Sequence, residues 1–223
     1  MVVVIPAFQA AATLGGVVSR TRATLPSASI VVVNDGSTDG SYADLADTLL
    51  THEQNLGKGA ALRRGIVAAV TQEAAIVVTL DADGQHRPEE IPRLIRPIVD
   101  TRADLVLGAR DRNGPMPIPR RFTNWLSARL ATRIGGQRVP DAQTGFRAFT
   151  RAVAEQVQPA GERYEYEANF LLDALRAGFR VASVDVPTIY DHGARSHFRL
   201  WSDTWRMARA FARHAGRIVA GAA

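Results

Sequence analysis

Asp81 and Asp83 stand two residues apart at the end of the apolar run Ile76–Leu80. In an extended chain this spacing puts both carboxylates on one side and Ala82 on the other. Two carboxylates that close repel, and one must take a proton unless a cation lies between them. A hard divalent ion with oxygen ligands satisfies the pair, and Mg2+ or Mn2+ held jointly with a substrate phosphate is the usual use. Gln85, two residues further on, adds a neutral oxygen. Asp83 could instead cap a helix starting near Pro88. A cap needs one Asp, whereas this segment offers two and a Gln, so Asp81, Asp83 and Gln85 are expected as a metal set.

Other segments carry weaker signals. Asp35-Gly36-Ser37-Thr38-Asp39 follows the apolar run Ile30–Val33. Its carboxylates could accept hydrogen bonds from a nucleobase or ribose, or serve a turn and a helix cap. Gly57-Lys58-Gly59 is a phosphate or turn signal, but neither a Walker loop nor a dinucleotide fingerprint, since Leu62 stands where the third glycine would be. Asp141-Ala142-Gln143-Thr144-Gly145-Phe146-Arg147 sets a carboxylate, a hydroxyl and an arginine around a glycine turn, and His192–Arg199 adds Arg195, Ser196 and Arg199. With Arg110, these are groups that could pair with phosphates, guanidinium bidentately. The five histidines lack zinc spacing and are read as surface or cap residues.

These segments need a scaffold that gathers them. Val2–Ile5, Ile30–Val33, Ile76–Leu80 and Leu105–Leu107 have strand length, while Thr13–Thr24, Tyr42–Leu50, Gly59–Val70 and Pro88–Val99 have helical spacing. The alternation predicts an α/β fold, a mostly parallel sheet with helices on both faces. Such sheets bind ligands beyond the carboxyl ends of their strands, where Pro6–Gln9, Asn34–Gly40, Asp81–His86 and Gly108–Arg110 all fall. Past the Pro-rich segment 114–119, helices are expected over Phe122–Ile134 and Tyr164–Ala177, a strand over Val181–Val186, and a helical tail from Leu200.

Composition narrows the function classes. The chain has 223 residues, 46% hydrophobic and 22% charged, which excludes disorder, collagen and coiled coil. Without cysteine there are no disulfides, Cys-based zinc sites or thiol nucleophiles. Residues 1–109 hold 9 basic and 12 acidic side chains, net −3, whereas residues 110–223 hold 18 and 10, net +8. The basic half suits nucleic acid, an anionic membrane surface or a phosphate-bearing substrate. No recognition motif supports nucleic acid. Val2–Ile5 ends at Pro6, short of a signal core, and no run approaches a bilayer span, so a cytoplasmic, soluble or peripheral protein is expected. From Arg199 the tail carries five arginines against Asp203, with Trp201, Trp205 and Phe211 mainly on the opposite face. That pattern fits an anionic membrane surface, or packing on the protein's own core.

Ile5-Pro6-Ala7-Phe8-Gln9, Asn34–Asp39, Asn55–Gly59, Asp81–His86, Gly108-Ala109-Arg110 and Thr144–Arg147 occur in the order and spacing of family 2 glycosyltransferases. The sequence most resembles the dolichyl-phosphate mannosyltransferase-like, polyprenyl-phosphate branch. The resemblance implies a GT-A type nucleotide-sugar-binding fold over 1–198, with a donor half 1–109, an acceptor half 110–198 and a basic amphipathic helix 199–223. It implies inverting transfer from a GDP- or UDP-linked sugar with Mg2+ or Mn2+, to a lipid phosphate at the inner membrane face or else to a soluble acceptor. Pro6, Phe8, Asp35, Lys58, Asp81, Ala82 and Asp83 would bind the donor. Arg110, Thr144, Arg147, Arg195, Ser196 and Arg199 would line the acceptor and phosphate side, and Asp83, Arg110, Asp141, Arg147 and Arg199 would carry the catalysis. A hydroxyl acceptor would need a base, for which Asp141, Glu165 and Glu167 are candidates. Ala10 departs from the family's usual Glu.

Overall fold

A computed structural model describes residues 1–40, 42, 44–110, 128–129, 131–133, 136–137, 139, 141–142, 144–163 and 165–187. Seven strands form one sheet: β1 (Val2–Ala7), β2 (Ser29–Asn34), β3 (Thr48–Thr51), β4 (Ile76–Thr79), β5 (Leu105–Arg110), β6 (Arg147–Thr150) and β7 (Val181–Val186). Their order is β3-β2-β1-β4-β6-β5-β7. Only β6 runs antiparallel, pairing Thr79 with Arg147 on one side and Leu107 with Arg147 on the other. Its first residue therefore lies at the edge where the parallel strands end.

Helices α1 (Ala11–Thr24), α2 (Lys58–Thr71), α3 (Ile91–Val99), α4 (Arg151–Gln156) and α5 (Glu165–Arg176) cover both faces. Strand alternation explains the two cores. Val2 and Val4 of β1 join α2, α4 and α5 residues such as Leu62, Val153 and Leu171. Val3 and Ile5 join Leu14 of α1 and Leu94 of α3 on the other face.

Tyr42–Leu50, expected to be helical, instead contributes β3. Val31 to Asn34 of β2 pair with Thr48 to Thr51, and the Asp47 carboxylate accepts the Ile30 N–H at 2.8 Å. Edge pairing to a buried strand outweighs a helical spacing read locally. β6 and α4 carry no local signal of their own in the sequence. Thr150 caps α4 through its hydroxyl, which accepts the Val153 N–H at 3.4 Å. Within the helix expected over Phe122–Ile134, residues 128–129 and 131–133 are helical and the rest lie outside the described residues, as does everything from 188 onward. Among the described residues, no helix is long and apolar enough to cross a membrane.

At the opposite edge, Arg180 donates through Nε and Nη2 to the two oxygens of Asp104, and its backbone N–H adds a third bond at 2.9 Å. The Arg180 guanidinium holds the Asp104 carboxyl below the usual range. A depressed folded-state value stabilises above the unfolded value, about 3.9, and the gain vanishes as pH falls through the folded value. Asp104→Asn should therefore cost about 1 kcal/mol or less at pH 7, since the pair is half exposed. The gap between the urea midpoints of variant and wild type should narrow as pH falls below about 4; a gap that stays constant contradicts this.

Candidate active site

The carboxyl end of β4 carries the central group. Leu80 extends the ladder through its N–H to the Val4 carbonyl, and Asp81-Ala82-Asp83 then turns away. Asp81 is partly exposed, Ala82 is buried and Asp83 is exposed, the last two within a turn. Asp83 Oδ1 accepts the Gln85 N–H at 3.0 Å, whereas the 3-10 turn at Pro88 has Arg87 at its N-cap and no side-chain cap. Asp83 is thus the head of a local turn and not a helix cap. Partial desolvation by the surrounding loops, and then the like charge of Asp81, push the Asp83 carboxyl above its ordinary value.

Lys58 opens α2 and points its ammonium between two acids. Nζ lies 2.7 Å from Asp81 Oδ1 and 2.7 Å from Glu167 Oε1 on α5. Burial alone would lower its pKa, but the two carboxylates outweigh that and raise it. Gly145 closes over this group: a Cβ there would stand 2.7 Å from both Asp81 oxygens and 2.8 Å from Lys58 Nζ. Its carbonyl is fixed by the Thr79 hydroxyl at 2.7 Å. The stacking of His86 on Phe146, ring centroids 5.2 Å apart, ties the Asp81–His86 loop to the same turn.

Gly57-Lys58-Gly59 does not present a phosphate cradle. The Gly59 and Ala60 N–H groups, the first donors of α2, both give their bonds to the Glu162 carbonyl. Gly57 has φ +103° and a Cβ there would stand 2.4 Å from that oxygen, so a close approach of backbone demands glycine.

Asp35 organises the neighbouring loop. Buried, it accepts from the Leu56 and Gly57 N–H groups and pairs with His52 Nδ1 at 2.7 Å. Its expected nucleoside contact would be added to these bonds. Asp39 is a cap, but for a helix distant in sequence: Oδ2 accepts the Ala11 N–H at 2.8 Å and Oδ1 the Tyr42 hydroxyl at 2.6 Å. The same hydroxyl receives the Ala10 N–H, where the family's usual Glu is missing. Pro6 is buried within β1 opposite Val33, and Phe8 beyond it is half-buried. Ala82 gives its carbonyl to the Thr13 hydroxyl at 2.7 Å and its methyl to the core, so its side chain does not serve as a donor contact.

Two expected acceptor residues are corrected. Arg147 is 2% exposed, and its guanidinium donates to the carbonyls of Thr144, Glu167 and Ala142 at 2.8, 2.7 and 3.1 Å. Each nitrogen bonds within the fold and the group is shut away from any ligand, because β6 directs this side chain into the layer under α5. Thr144 is equally buried and its hydroxyl accepts the Phe146 N–H at 3.2 Å, closing the turn. Asp141 is buried, with its charge felt by Arg147. Arg110 ends β5 at the active edge. Arg195, Ser196 and Arg199 lie outside the described residues.

His52 and His86, expected at the surface or in caps, are buried at 8% and 5% exposure and organise loops. His52 follows the carboxyl end of β3, and the pairing of that strand with β2 brings it beside Asp35. Glu167 was expected only as a possible base, and its pairing with Lys58 depends on the packing of α5 on α2.

Among the described residues, no three His, Cys, Asp or Glu side chains gather into a cage for a metal. Mg2+ and Mn2+ sharing their shell with a diphosphate and water need few protein oxygens. Asp81 and Asp83 would meet that need, with Asp81 Oδ1 already 2.7 Å from Lys58 Nζ, so a cation would share this carboxylate with the ammonium. The residues present fit the cation.

Residues 2–158 match the Glycosyl transferase family 2 description. A UDP-N-acetylglucosamine--dolichyl-phosphate N-acetylglucosaminyltransferase of Methanococcus voltae is 30% identical over 187 residues, 72% of this chain and 74% of the relative. A polyprenol monophosphomannose synthase of Mycolicibacterium smegmatis is 31% identical over 204 residues, 82% of this chain and 75% of the relative. Glucosyl-3-phosphoglycerate synthase of Mycobacterium tuberculosis, solved with Mn2+, uridine diphosphate and phosphoglyceric acid, shares the fold with a TM-score of 0.76. That likeness has 23% identity and covers 96% of this chain and 78% of the other. Sequence match and fold agree, and the chain belongs to glycosyl transferase family 2 as a nucleotide-sugar glycosyltransferase, with relatives in the polyprenyl-phosphate branch.

Proposed function

We propose that the enzyme transfers a sugar, with inversion, from a GDP- or UDP-linked donor to a polyprenyl phosphate or similar lipid at the cytoplasmic membrane face, with Mg2+ or Mn2+ on the donor diphosphate. The observation that carries this reading is the Asp81–Asp83 pair at the head of β4, beside Lys58 and beneath Gly145. The names of the two curated relatives support the acceptor class. Asp81 and Asp83 would hold the cation, with Gln85 as a neutral oxygen; the cation would stabilise the charge that develops on the departing diphosphate. Pro6, Phe8 and Asp35 belong to the nucleoside side of this reading, and Arg110, Arg195, Ser196 and Arg199 to the acceptor side. The acceptor oxygen attacks the anomeric carbon opposite the leaving diphosphate. A phosphate monoester is ionised at neutral pH and needs no strong base. A hydroxyl acceptor would need one; of the three candidates, Asp141 is buried beside the Arg147 charge and Glu167 is paired with Lys58, which leaves Glu165.

Two measurements test this. Asp83→Ala should abolish metal-dependent donor binding in calorimetry, and unchanged binding would reduce the pair to a turn. Incubation with labelled nucleotide sugars, Mg2+ or Mn2+ and extracted polyprenyl lipids should move label into the organic phase. Label confined to water-soluble product would favour a soluble acceptor instead. Residues 199–223 complete the proposal as a basic amphipathic segment that meets anionic lipid. Ending the chain at Ser196 should weaken binding to anionic vesicles, and salt-insensitive, unaltered binding would contradict that role.

A further inference from the structure

Lys58 shares one ammonium between an acid of the donor half and an acid of α5, which belongs to the acceptor half. It contacts Asp81 Oδ1 and Glu167 Oε1 at the same 2.7 Å. Glu167 is nearly buried, its side chain 6% exposed, while Asp81 and Lys58 are 22% and 20% exposed. Glu167 is held rigidly from behind, because its backbone carbonyl accepts Arg147 Nη1 at 2.7 Å. A cation seated on Asp81 would feel the Lys58 charge directly, in a group where charges interact at an effective dielectric far below that of water. Glu167 offsets that charge and holds the ammonium at the same distance as Asp81 does.

We propose that Lys58 competes with the divalent cation for Asp81, and that Glu167 is a positioning residue whose pull on Lys58 sets how strongly it competes. This rests on the reading of Asp81 and Asp83 as metal ligands. The two residues then act in opposite directions on the same quantity. Removing Lys58 leaves Asp81, Asp83 and Glu167 without their fixed cation, and the site takes a divalent ion more readily. Neutralising Glu167 gives the whole ammonium to Asp81 and removes a nearby negative charge, and the site takes the ion less readily. Cation entry on the donor side thereby depends on the placement of α5.

The test is Mn2+ alone, without nucleotide, titrated into the full chain and read by the loss of the free-ion EPR signal and by the shift in melting temperature. Lys58→Met should bind Mn2+ at least about tenfold tighter than wild type, and Glu167→Gln several-fold weaker, given charges this close. Mn2+ should raise the melting temperature of Lys58→Met more than that of wild type. A merely structural pair predicts weaker binding in both variants, and that outcome overturns the proposal. Should Lys58→Met fail to fold with Glu167 unpaired, the Lys58→Met/Glu167→Gln variant replaces it. It should bind Mn2+ at least as tightly as wild type, and weaker binding overturns the proposal. Asp83→Asn separates the two levels. If it abolishes Mn2+ binding while Lys58→Met leaves it unchanged, only the competition falls. If wild type binds no Mn2+ with or without uridine or guanosine diphosphate, the metal reading falls and the competition with it.

Discussion

Replacing Gly145 with alanine should remove most of the transferase activity while barely changing the melting temperature. The added Cβ would lie 2.7 Å from both Asp81 oxygens and 2.8 Å from Lys58 Nζ, closer than atoms can approach. The atoms it meets are the far ends of the paired Asp81 and Lys58 side chains, so the fold yields by moving them rather than the backbone. That yielding displaces the carboxylate on which the proposed cation site depends. A misplacement of about 1 Å in a reacting assembly costs about 100-fold in rate. The stability cost should stay near about 1 kcal/mol, a shift of about 2–4 °C for a chain of this size. Initial rates and thermal melts on the same preparation check both halves. Retained activity would show that Asp81 has room to spare, and a collapse of the melt would make Gly145 a folding residue first.

Arg147 should behave in the opposite way, as a residue of stability and not of substrate affinity. Its guanidinium binds three carbonyls in a fully buried site. Arg147→Ala leaves those acceptors, and the nearby acids Asp141 and Glu167, short of their positive partner, at about 3–5 kcal/mol. Arg147→Lys should recover little, because an ammonium cannot reach three carbonyls spread across the plane of a guanidinium. Urea denaturation of both variants measures this. A lysine variant of normal stability but raised acceptor KM would restore the phosphate-binding role that the residue type first suggested.

These residues differ in how far their roles follow from local sequence. The Asp81-Ala82-Asp83 alternation depends only on the geometry of an extended chain, and the fold leaves Ala82 buried between a partly exposed and an exposed carboxylate. The strands at Val2, Ile30, Ile76 and Leu105 were legible for the same reason, since continuous β-branched runs have few other uses. β3 was not legible, because Thr48–Thr51 is a strand only by virtue of its pairing with β2. His52 lost its meaning with it, and so did the buried pair it makes with Asp35.

Residue types and spacing alone determined the α/β class, the gathering of polar loops at one edge of the sheet, the paired acids at the carboxyl end of β4 and the family. These are local properties: strand period, turn chemistry and motif order. Tertiary structure decided which charges face the site and which are used up inside the fold. Arg147 and Thr144 share a motif with Gly145, yet the antiparallel direction of β6 buries the first two and lays the glycine against Asp81. Glu167 lies more than a hundred residues from Lys58 in sequence, and only the packing of α5 on α2 brings them to 2.7 Å. A charge acquires its role from its neighbours and its burial, and both are set by contacts that no window of sequence contains.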